Sequence, residues 1–253
     1  MKWALRGQLL ALLALSLSGC DCEGEGYASD CLLSYAAQPD VARIQFLNQL
    51  ADPGGDDAGA VEIDLFAGTR SDALFTGRGY TTTSAGALAD LELDGNTQRV
   101  AFETRASADG LTLVSNRSFE LAQDTRYVAL ATGTLGRTES YGFLVYPHED
   151  QDPPEDRVSI RFVNTLSETI QPLSLVLRGV TDLAQLGFGD DSGYVRVDPD
   201  RAEIELELRD GAANTIATVS CPVDEERTYL GVLAYAAFDT VDDDDIRLFC
   251  HRR

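Results

Sequence analysis

The chain has 253 residues and a formal net charge of −22, from 42 acidic and 20 basic side chains. This acidic balance argues against nucleic acid as a partner and against docking on anionic lipid through surface charge, because the chain repels both polyanions. The length exceeds the about 100–150 residues of a typical single domain, so two modest domains or one large one are allowed.

The N-terminus has the layout of an export signal. Lys2 and Arg6 precede an apolar run over 9–17, and two small residues follow it. The run is shorter than the about 20 residues that cross a bilayer, and no later segment is long and uncharged enough to do so. We expect residues 1–19 to be removed on export, which takes the net charge from −22 to −24 because two basic residues are lost.

The sequence Leu17-Ser18-Gly19-Cys20 resembles the lipobox of bacterial lipoproteins in all four positions. The resemblance implies cleavage before Cys20 and attachment of acyl chains such as palmitate to this cysteine. More than one chain holds a protein firmly on a membrane, at ~0.8 kcal/mol per buried methylene. The predicted location is therefore the bacterial cell envelope, on the outer membrane facing the periplasm or the surface. Asp21 resembles the inner-membrane retention signal of enteric bacteria, which keeps the inner membrane open.

The five cysteines favour an oxidising compartment. Without the predicted lipid-bearing Cys20 an even four remain, as in proteins with disulfides. Their positions suggest Cys22 with Cys31 and Cys221 with Cys250, although four cysteines allow three pairings. An ordinary secreted protein with Cys20 in a disulfide is the alternative. A zinc site is disfavoured because the spacings fit no metal pattern.

Residues 20–37 have no strong period and predict a tether, which the Cys22–Cys31 bond would close into a small loop. From Val41 onward short runs alternate apolar and polar residues, and Gly, Asp, Asn and Pro separate them. Such runs are typical of half-buried β-strands, and no long amphipathic helix is predicted.

The two halves of this β region match in order, which predicts a tandem repeat. The pattern Ile-x-Phe-Leu/Val-Asn at 44–48 returns at 160–164, and the later matches are 61–65 with 173–177, 77–79 with 187–189, 91–105 with 195–209, and 124–128 with 226–230. Each copy holds about seven short strands, which suits an immunoglobulin-like antiparallel β-sandwich, and Tyr127 and Tyr229 resemble its tyrosine corner. We predict sandwich domains at 38–147 and 157–253.

The strand motifs Ile-x-Phe-Leu/Val-Asn, Ile/Leu-x-Leu and Thr/Arg-Tyr resemble a bacterial family of tandem sandwich domains of unknown function, found in exported and lipid-anchored proteins. The resemblance covers about 40–250 and implies no functional residues. The chain departs from that family at 49–53 and 165–168, where a proline-containing loop usually follows the asparagine.

An acidic, proline-containing linker at 148–156 separates the copies. Its adjacent prolines, Pro153 and Pro154, favour an extended spacer. We therefore expect the two sandwiches to be arranged as separate beads along the chain.

No catalytic motif stands out in the sequence. Ser140 lacks the first glycine of a nucleophile elbow and the helix that the motif requires. His148 and His251 are interpreted as solvated surface residues rather than as a base or metal ligands. Neither a phosphate loop nor a dinucleotide fingerprint is present, so no cofactor is predicted.

Acidic loops supply the candidate ionic site. Asp52, Asp56 and Asp57 lie in one loop of the first copy, and Asp190 and Asp191 lie in the matching region of the second copy. Hard carboxylate oxygens suit Ca²⁺, but no defined ligand spacing is present, so these residues are weak calcium candidates beside the interpretation as solvated loops.

We predict a lipid-anchored envelope protein with a binding, adhesion or structural role and no catalytic activity. A protein partner is favoured over a carbohydrate because the only tryptophan, Trp3, lies in the signal. The alternative is an envelope hydrolase that uses paired carboxylates. A buried pair of acids in a pocket would favour the hydrolase, and a flat polar surface with a pairable strand edge would favour the binding protein.

Overall fold

The structure is a computed structural model of the chain, and it describes residues 41–52, 61–81, 87–149, 151–166, 172–177, 182–198, 202–236, 239 and 245–252. The signal, the tether, Cys20, Cys22 and Cys31 lie outside these residues. Lipidation and the Cys22–Cys31 bond therefore stay predictions. The described residues belong to one compact unit, Gln38–Arg253.

Strands make up nearly all regular structure of the described residues, so the prediction of an all-β fold is confirmed. The first half contains β1 (Val41–Ala51), β2 (Ile63–Ala67), β3 (Phe75–Arg78), β4 (Ala87–Glu92), β5 (Thr97–Ala106), β6 (Thr112–Ala122), β7 (Arg126–Thr134), a 3-10 helix (Thr138–Ser140) and β8 (Gly142–Pro147). The second half contains β9 (Val158–Asn164), β10 (Leu173–Leu177), β11 (Asp182–Leu186), β12 (Asp191–Val197), β13 (Glu203–Arg209), β14 (Thr215–Pro222), β15 (Thr228–Tyr235) and β16 (Ile246–Arg252). No helix within the described ranges has the length and apolar character to cross a membrane.

Each half is a sandwich of two four-stranded sheets. The first half has the orders β4-β1-β7-β8 and β3-β2-β5-β6, and the second has β12-β9-β15-β16 and β11-β10-β13-β14. Counted from the start of each half, the strand order is the same. Neighbouring strands are antiparallel except for β1 with β7 and β9 with β15, which are parallel.

These connections differ from those of an immunoglobulin domain. A constant-type immunoglobulin sandwich has seven strands in the orders ABED and CFG. In the part of the chain that the structure describes each half has eight strands, and its first strand lies between its fourth and its seventh. The sandwich architecture is confirmed, but the alternation of single strands does not encode which strands become neighbours.

Alternating residues build a separate core in each half. On β5 residues 100, 102 and 104 are buried and their odd-numbered neighbours are partly exposed, and β13 alternates in the same way. Phe46 and Phe102 lie in the core of the first half, and Phe162 and Leu206 in that of the second. Full burial of such a side chain contributes about 1.5–3 kcal/mol, so these inward rows stabilise each sandwich.

The two halves pack against each other through the sheets that contain β1 and β9. A shared hydrophobic cluster, which we call the seam, joins Leu47, Val128, Leu130 and Tyr146 of the first half to Val163, Leu230, Val232 and Ala234 of the second. The prediction of separate beads is therefore wrong. The physical reason is that β7 and β15 are apolar on both faces, so each needs a core on one side and a cover on the other.

Hydrogen bonds also cross the seam. Three hydroxyls of the first half donate to backbone carbonyls of the second, at 2.8, 2.9 and 2.7 Å: Tyr80 to Tyr235, Thr132 to Thr165, and Tyr146 to Gly189. Burial raises the pKa of the Tyr80 and Tyr146 phenols well above their ordinary range, because a phenolate there would lose its hydration. The seam thus combines apolar contact with satisfied polar groups.

The asparagine of the Ile-x-Phe-Leu/Val-Asn pattern is buried in both halves. Asn48 Nδ2 donates to the carbonyls of Val61 and Arg78 at 3.0 and 2.9 Å, and Asn164 Nδ2 donates to the carbonyl of Leu186 at 3.2 Å. In both residues Oδ1 accepts the N–H two positions further on. The asparagine therefore ties the C-terminal part of the first strand to the other sheet of its half.

Tyr127 and Tyr229 make equivalent bonds. The Ala122 N–H donates to the Tyr127 hydroxyl at 2.7 Å, and the Asp224 N–H donates to the Tyr229 hydroxyl at 2.8 Å. Each phenol bonds the backbone five residues upstream, as the tyrosine-corner resemblance implies, although the surrounding strand order is not that of an immunoglobulin domain.

Different contacts join the edges of the two sheets in each half. Cys221 on β14 and Cys250 on β16 form a disulfide with a Cα–Cα distance of 6.0 Å, which is the pairing that the sequence favours. Strand register places Phe119 where the second half has Cys221. Phe119 instead packs against Phe102 and Phe143 with tilted rings, whose centroids are 6.2 and 6.0 Å away.

The pairing of β2 with β5 and of β10 with β13 corrects one of the matches between the halves that were made from the sequence. Asp64 faces Arg105 and Ser174 faces Arg209, which aligns residue 63 with 173, two positions from the match made by sequence. A shift of two residues leaves every side chain on the same face of its strand. The inward and outward assignments are unaffected.

Candidate functional site

A shallow pocket of about 160 Å³ opens on the outer face of the β3-β2-β5-β6 sheet. This sheet does not take part in the seam. We call the cavity the Phe66 pocket, and its lining includes Phe66, Gly68, Ser71, Ala101, Glu103 and Arg105. β2 and β5 are antiparallel with Phe66 opposite Glu103, so their outward-facing side chains meet on this face.

An ion pair and an aromatic ring form one wall of the pocket. The Arg105 guanidinium carbon lies 4.3 Å from the centroid of the Phe66 ring, and Arg105 Nε donates to Glu103 Oε1. The Thr112 hydroxyl donates to the same oxygen at 3.3 Å. The hydrogen bond from Arg105 holds the pKa of Glu103 below its usual range, so this carboxylate is ionised and oriented.

The turn after β2 forms the opposite wall. Gly68 has φ +65°, a conformation that glycine adopts without strain, and its N–H donates to the Ala101 carbonyl at 2.8 Å. This turn brings Ser71 and Arg70 to the pocket, and Arg70 is paired at 3.0 Å with Asp72. The turn therefore adds a hydroxyl and a paired cation.

The corresponding face of the second half keeps the ion pair and lacks the ring. Arg209 and Glu207 are paired at 2.6 Å on β13, as Arg105 and Glu103 are on β5. Val176 lies opposite Glu207 and so takes the place of Phe66. The aromatic wall is thus specific to the first half.

The two predicted acidic groups do not occupy the matching places in the two halves that the repeat suggested. Asp52 follows β1, the first strand of its half, whereas Asp190 and Asp191 lie at the start of β12, the fourth strand of the other half. The two groups are therefore not in matching positions. Asp56 and Asp57 lie outside the described residues.

Asp190 and Asp191 serve local structure. Asp190 Oδ2 accepts the Gly187 N–H at 2.9 Å, and Asp191 Oδ1 accepts the Gly193 N–H at 2.7 Å. Arg161 also pairs with Asp191 at 3.6 Å. Within the described ranges no three His, Cys, Asp or Glu side chains converge on a possible metal site.

The interpretation of the histidines as solvated is wrong. His148 is 2 % exposed and His251 is fully buried. On β16, His251 is on the same face as Phe249, which packs against the seam. His148 directly follows β8, two positions after the seam residue Tyr146. Both histidines therefore continue a row of side chains on the face that packs at the seam. Sequence position near a linker and near the C-terminus concealed this burial.

Ser140 has a structural role. Its hydroxyl accepts the Thr134 N–H and donates to the Arg137 carbonyl, each at 2.8 Å, which fastens the 3-10 helix to the end of β7. Gly133 permits this contact, since a Cβ there would lie 2.7 Å from the Ser140 carbonyl oxygen.

Sequence reasoning did not single out Phe66, Glu103 or Arg105. The alternation of β2 and β5 indicated that each residue faces outward, but only the strand order brings the two strands together. A weak signal was available: an acid and an arginine two positions apart recur at 103–105 and 207–209.

No protein-family model and no curated protein matches the chain. Solved structures with some similarity include a family 41 carbohydrate-binding module from a streptococcal virulence factor, which recognises α-glucan, with 14 % identity, TM-score 0.26, and coverage of 83 % of this chain and 97 % of that one. A second is a family 26 carbohydrate-binding module from Eubacterium rectale in complex with maltoheptaose, with 8 % identity, TM-score 0.23, and coverage of 84 % and 97 %. A third is a protein from Bacteroides thetaiotaomicron proposed to bind polysaccharides, with 10 % identity, TM-score 0.19, and coverage of 78 % and 92 %.

Proposed function

We propose that this chain is a lipid-anchored protein of the bacterial cell envelope that binds a ligand at the Phe66 pocket without catalysing a reaction. The observation that carries the proposal is the pocket itself, where an aromatic ring, an oriented carboxylate and a guanidinium share one exposed sheet face. Acyl chains on Cys20 would hold the protein on the membrane.

The carboxylates that the structure describes suit binding better than hydrolysis. A carboxyl group that protonates a glycosidic oxygen is normally one whose pKa is raised by burial. Throughout the described ranges no Asp or Glu side chain is buried. Glu103 instead has a lowered pKa because Arg105 donates to it, which makes it a poor proton donor and a good hydrogen-bond acceptor.

The core beneath the pocket supports the same proposal. A binding surface is most effective when its residues are held in place before the ligand arrives, since less conformational freedom is then lost on binding. The Phe66 pocket lies on β2 and β5, whose inward residues Leu65 and Phe102 are 0 % and 1 % exposed. The rigid strands therefore fix the spacing of the outward side chains.

Binding at this face is testable with envelope material from the producing bacterium. We would follow amide hydrogen exchange of the mature protein in detergent, with and without solubilised envelope fractions. Slower exchange in β2 and β5 is expected for the wild type and for Arg209→Ala, but not for Phe66→Val. Equal protection in Phe66→Val, or none in any protein, would refute binding at this face.

The anchor needs a separate measurement. The mass of the protein from membranes should correspond to a chain that begins at Cys20 and carries lipid. Reduction should add about four hydrogens, because two disulfides are predicted. A chain that still begins at Met1 and has five free thiols would contradict export, lipidation and the Cys22–Cys31 bond together.

A further inference from the structure

We infer that the Phe66 pocket takes one uncharged, hydroxyl-rich ring, that is, a single sugar unit of a neutral glycan. The inference rests on the proposed function and gives the ligand class for the same site. The sequence favoured a protein partner, because its only tryptophan, Trp3, lies in the predicted signal. The structure instead supplies an aromatic side chain, Phe66, at the pocket.

The size and the apolar wall of the pocket suit one ring. A volume of about 160 Å³ is well below the ~300–1,000 Å³ of pockets that enclose whole drug-sized ligands. The Phe66 ring is half-buried and lines the pocket beside Gly68, and the Arg105 guanidinium lies over the ring, so ring and guanidinium together form a partly apolar wall. The C–H face of a sugar ring packs on such a surface, and the open side leaves room for the rest of a chain.

The polar groups match hydroxyls. A hydroxyl both donates and accepts, so it is satisfied by a carboxylate oxygen on one side and an N–H on the other. Glu103 offers Oε2, since Arg105 and Thr112 both bond to Oε1. Arg105 uses only Nε in the described contacts, which leaves its terminal N–H groups for a ligand oxygen. An acceptor and donors therefore lie side by side at the aromatic wall.

The charge of the pocket favours an uncharged ligand. Its two arginines are both paired, Arg105 with Glu103 and Arg70 with Asp72, so the pocket has no excess positive charge. The chain as a whole carries −22. Such a surface repels polyuronates and acidic peptides, whereas a neutral glycan meets no electrostatic barrier.

The second half provides a natural control. It keeps the Glu207–Arg209 pair and has Val176 in place of the ring. Phe66→Val therefore copies an arrangement that the chain already contains, and we expect it to fold. Arg209→Ala removes the equivalent guanidinium from the face without a ring.

The experiment is titration calorimetry on the mature protein in detergent. The probes are three neutral oligosaccharides (maltoheptaose, cellohexaose and mannohexaose), one acidic oligosaccharide (hexagalacturonate) and one glutamate-rich peptide. We expect at least one neutral oligosaccharide to bind. Phe66→Val and Arg105→Ala should each weaken its affinity by about tenfold or more, and Arg209→Ala should leave it unchanged.

The outcomes separate the ligand class from the site. Binding of a neutral oligosaccharide that Phe66→Val abolishes supports the inference. Binding of the acidic oligosaccharide or the peptide alone, lost in Phe66→Val, overturns the ligand class and leaves the proposed site intact. Neutral binding that persists in both Phe66→Val and Arg105→Ala overturns the site. If no probe binds, the ligand class is overturned. If envelope fractions also fail to protect β2 and β5, the proposed function is refuted as well.

Discussion

Replacing Leu130 with alanine should destabilise both halves of the molecule. The Leu130 side chain lies in the seam and is 0 % exposed. Truncation of a fully buried leucine to alanine costs about 2–5 kcal/mol, from lost transfer energy and the cavity that remains. A central value of about 3 kcal/mol corresponds to about a hundredfold change in the unfolding equilibrium.

Hydrogen exchange in β13 distinguishes coupled from independent halves. β13 lies in the outer sheet of the second half, and none of its residues belongs to the seam. If the seam joins the halves into one cooperative unit, the most protected β13 amides exchange by global unfolding. Their protection should then fall by about a hundredfold in Leu130→Ala, as that of β5 does.

The opposite result would refute this reasoning. If Leu130→Ala lowers protection in β5 and leaves β13 unchanged, the halves unfold separately and the seam is only a contact. Leu111→Ala is the matched control, because Leu111 is 60 % exposed. Such a surface substitution should change protection in neither strand.

Three further predictions concern particular contacts. Removing the disulfide in Cys221→Ala/Cys250→Ala should lower the free energy of unfolding by about 3–4 kcal/mol in urea, given a sequence separation of 29; an unchanged midpoint would contradict a stabilising bond. Above about pH 10 the free energy of unfolding should fall, because burial raises the pKa of Tyr80 and Tyr146 in the folded state while these phenols ionise more readily in the unfolded chain. Tyr146→Phe should reduce this loss in urea denaturation measured at several pH values. An identical pH profile for the variant would argue against burial of Tyr146 as the cause. Asn48→Ala should cost about 1–3 kcal/mol or more because it leaves the carbonyls of Val61 and Arg78 without their donor, whereas truncating the exposed Asp72 should be nearly neutral.

Single strands were largely predictable from the sequence. The alternation on β5 and β13, the closing strands β8 and β16, and the asparagine motif all correspond to observed elements. Each depends on local pattern, because successive side chains of a strand point to opposite faces. The Cys221–Cys250 pair was also predictable, since these are the two cysteines of the C-terminal half.

The seam was not predicted, because every strand with alternating apolar and polar residues was expected to have one buried face and one face in water. β7 and β15 have few charged residues and are buried throughout, as strands with cover on both sides are. An uncharged run such as 128–135 was the available signal. His148 and His251 were misjudged for the same reason, since polar residues on a covered face look solvated in sequence.

The Phe66 pocket could not be predicted at all from periodicity. Phe66 and Glu103 are 37 positions apart and meet only because β2 and β5 are neighbours. Nothing in either strand specifies that pairing, which arises from the way both sheets close around one core. Strand order, and hence the site, is a property of the whole half.

The seam also limits how this protein can be divided. A fragment that ends in the linker would expose Leu47, Val128 and Leu130 to water as one continuous apolar surface. Surfaces of this kind promote association between molecules. We therefore expect each half, when produced alone, to form aggregates or dimers in size-exclusion chromatography, whereas 38–253 keeps this surface covered.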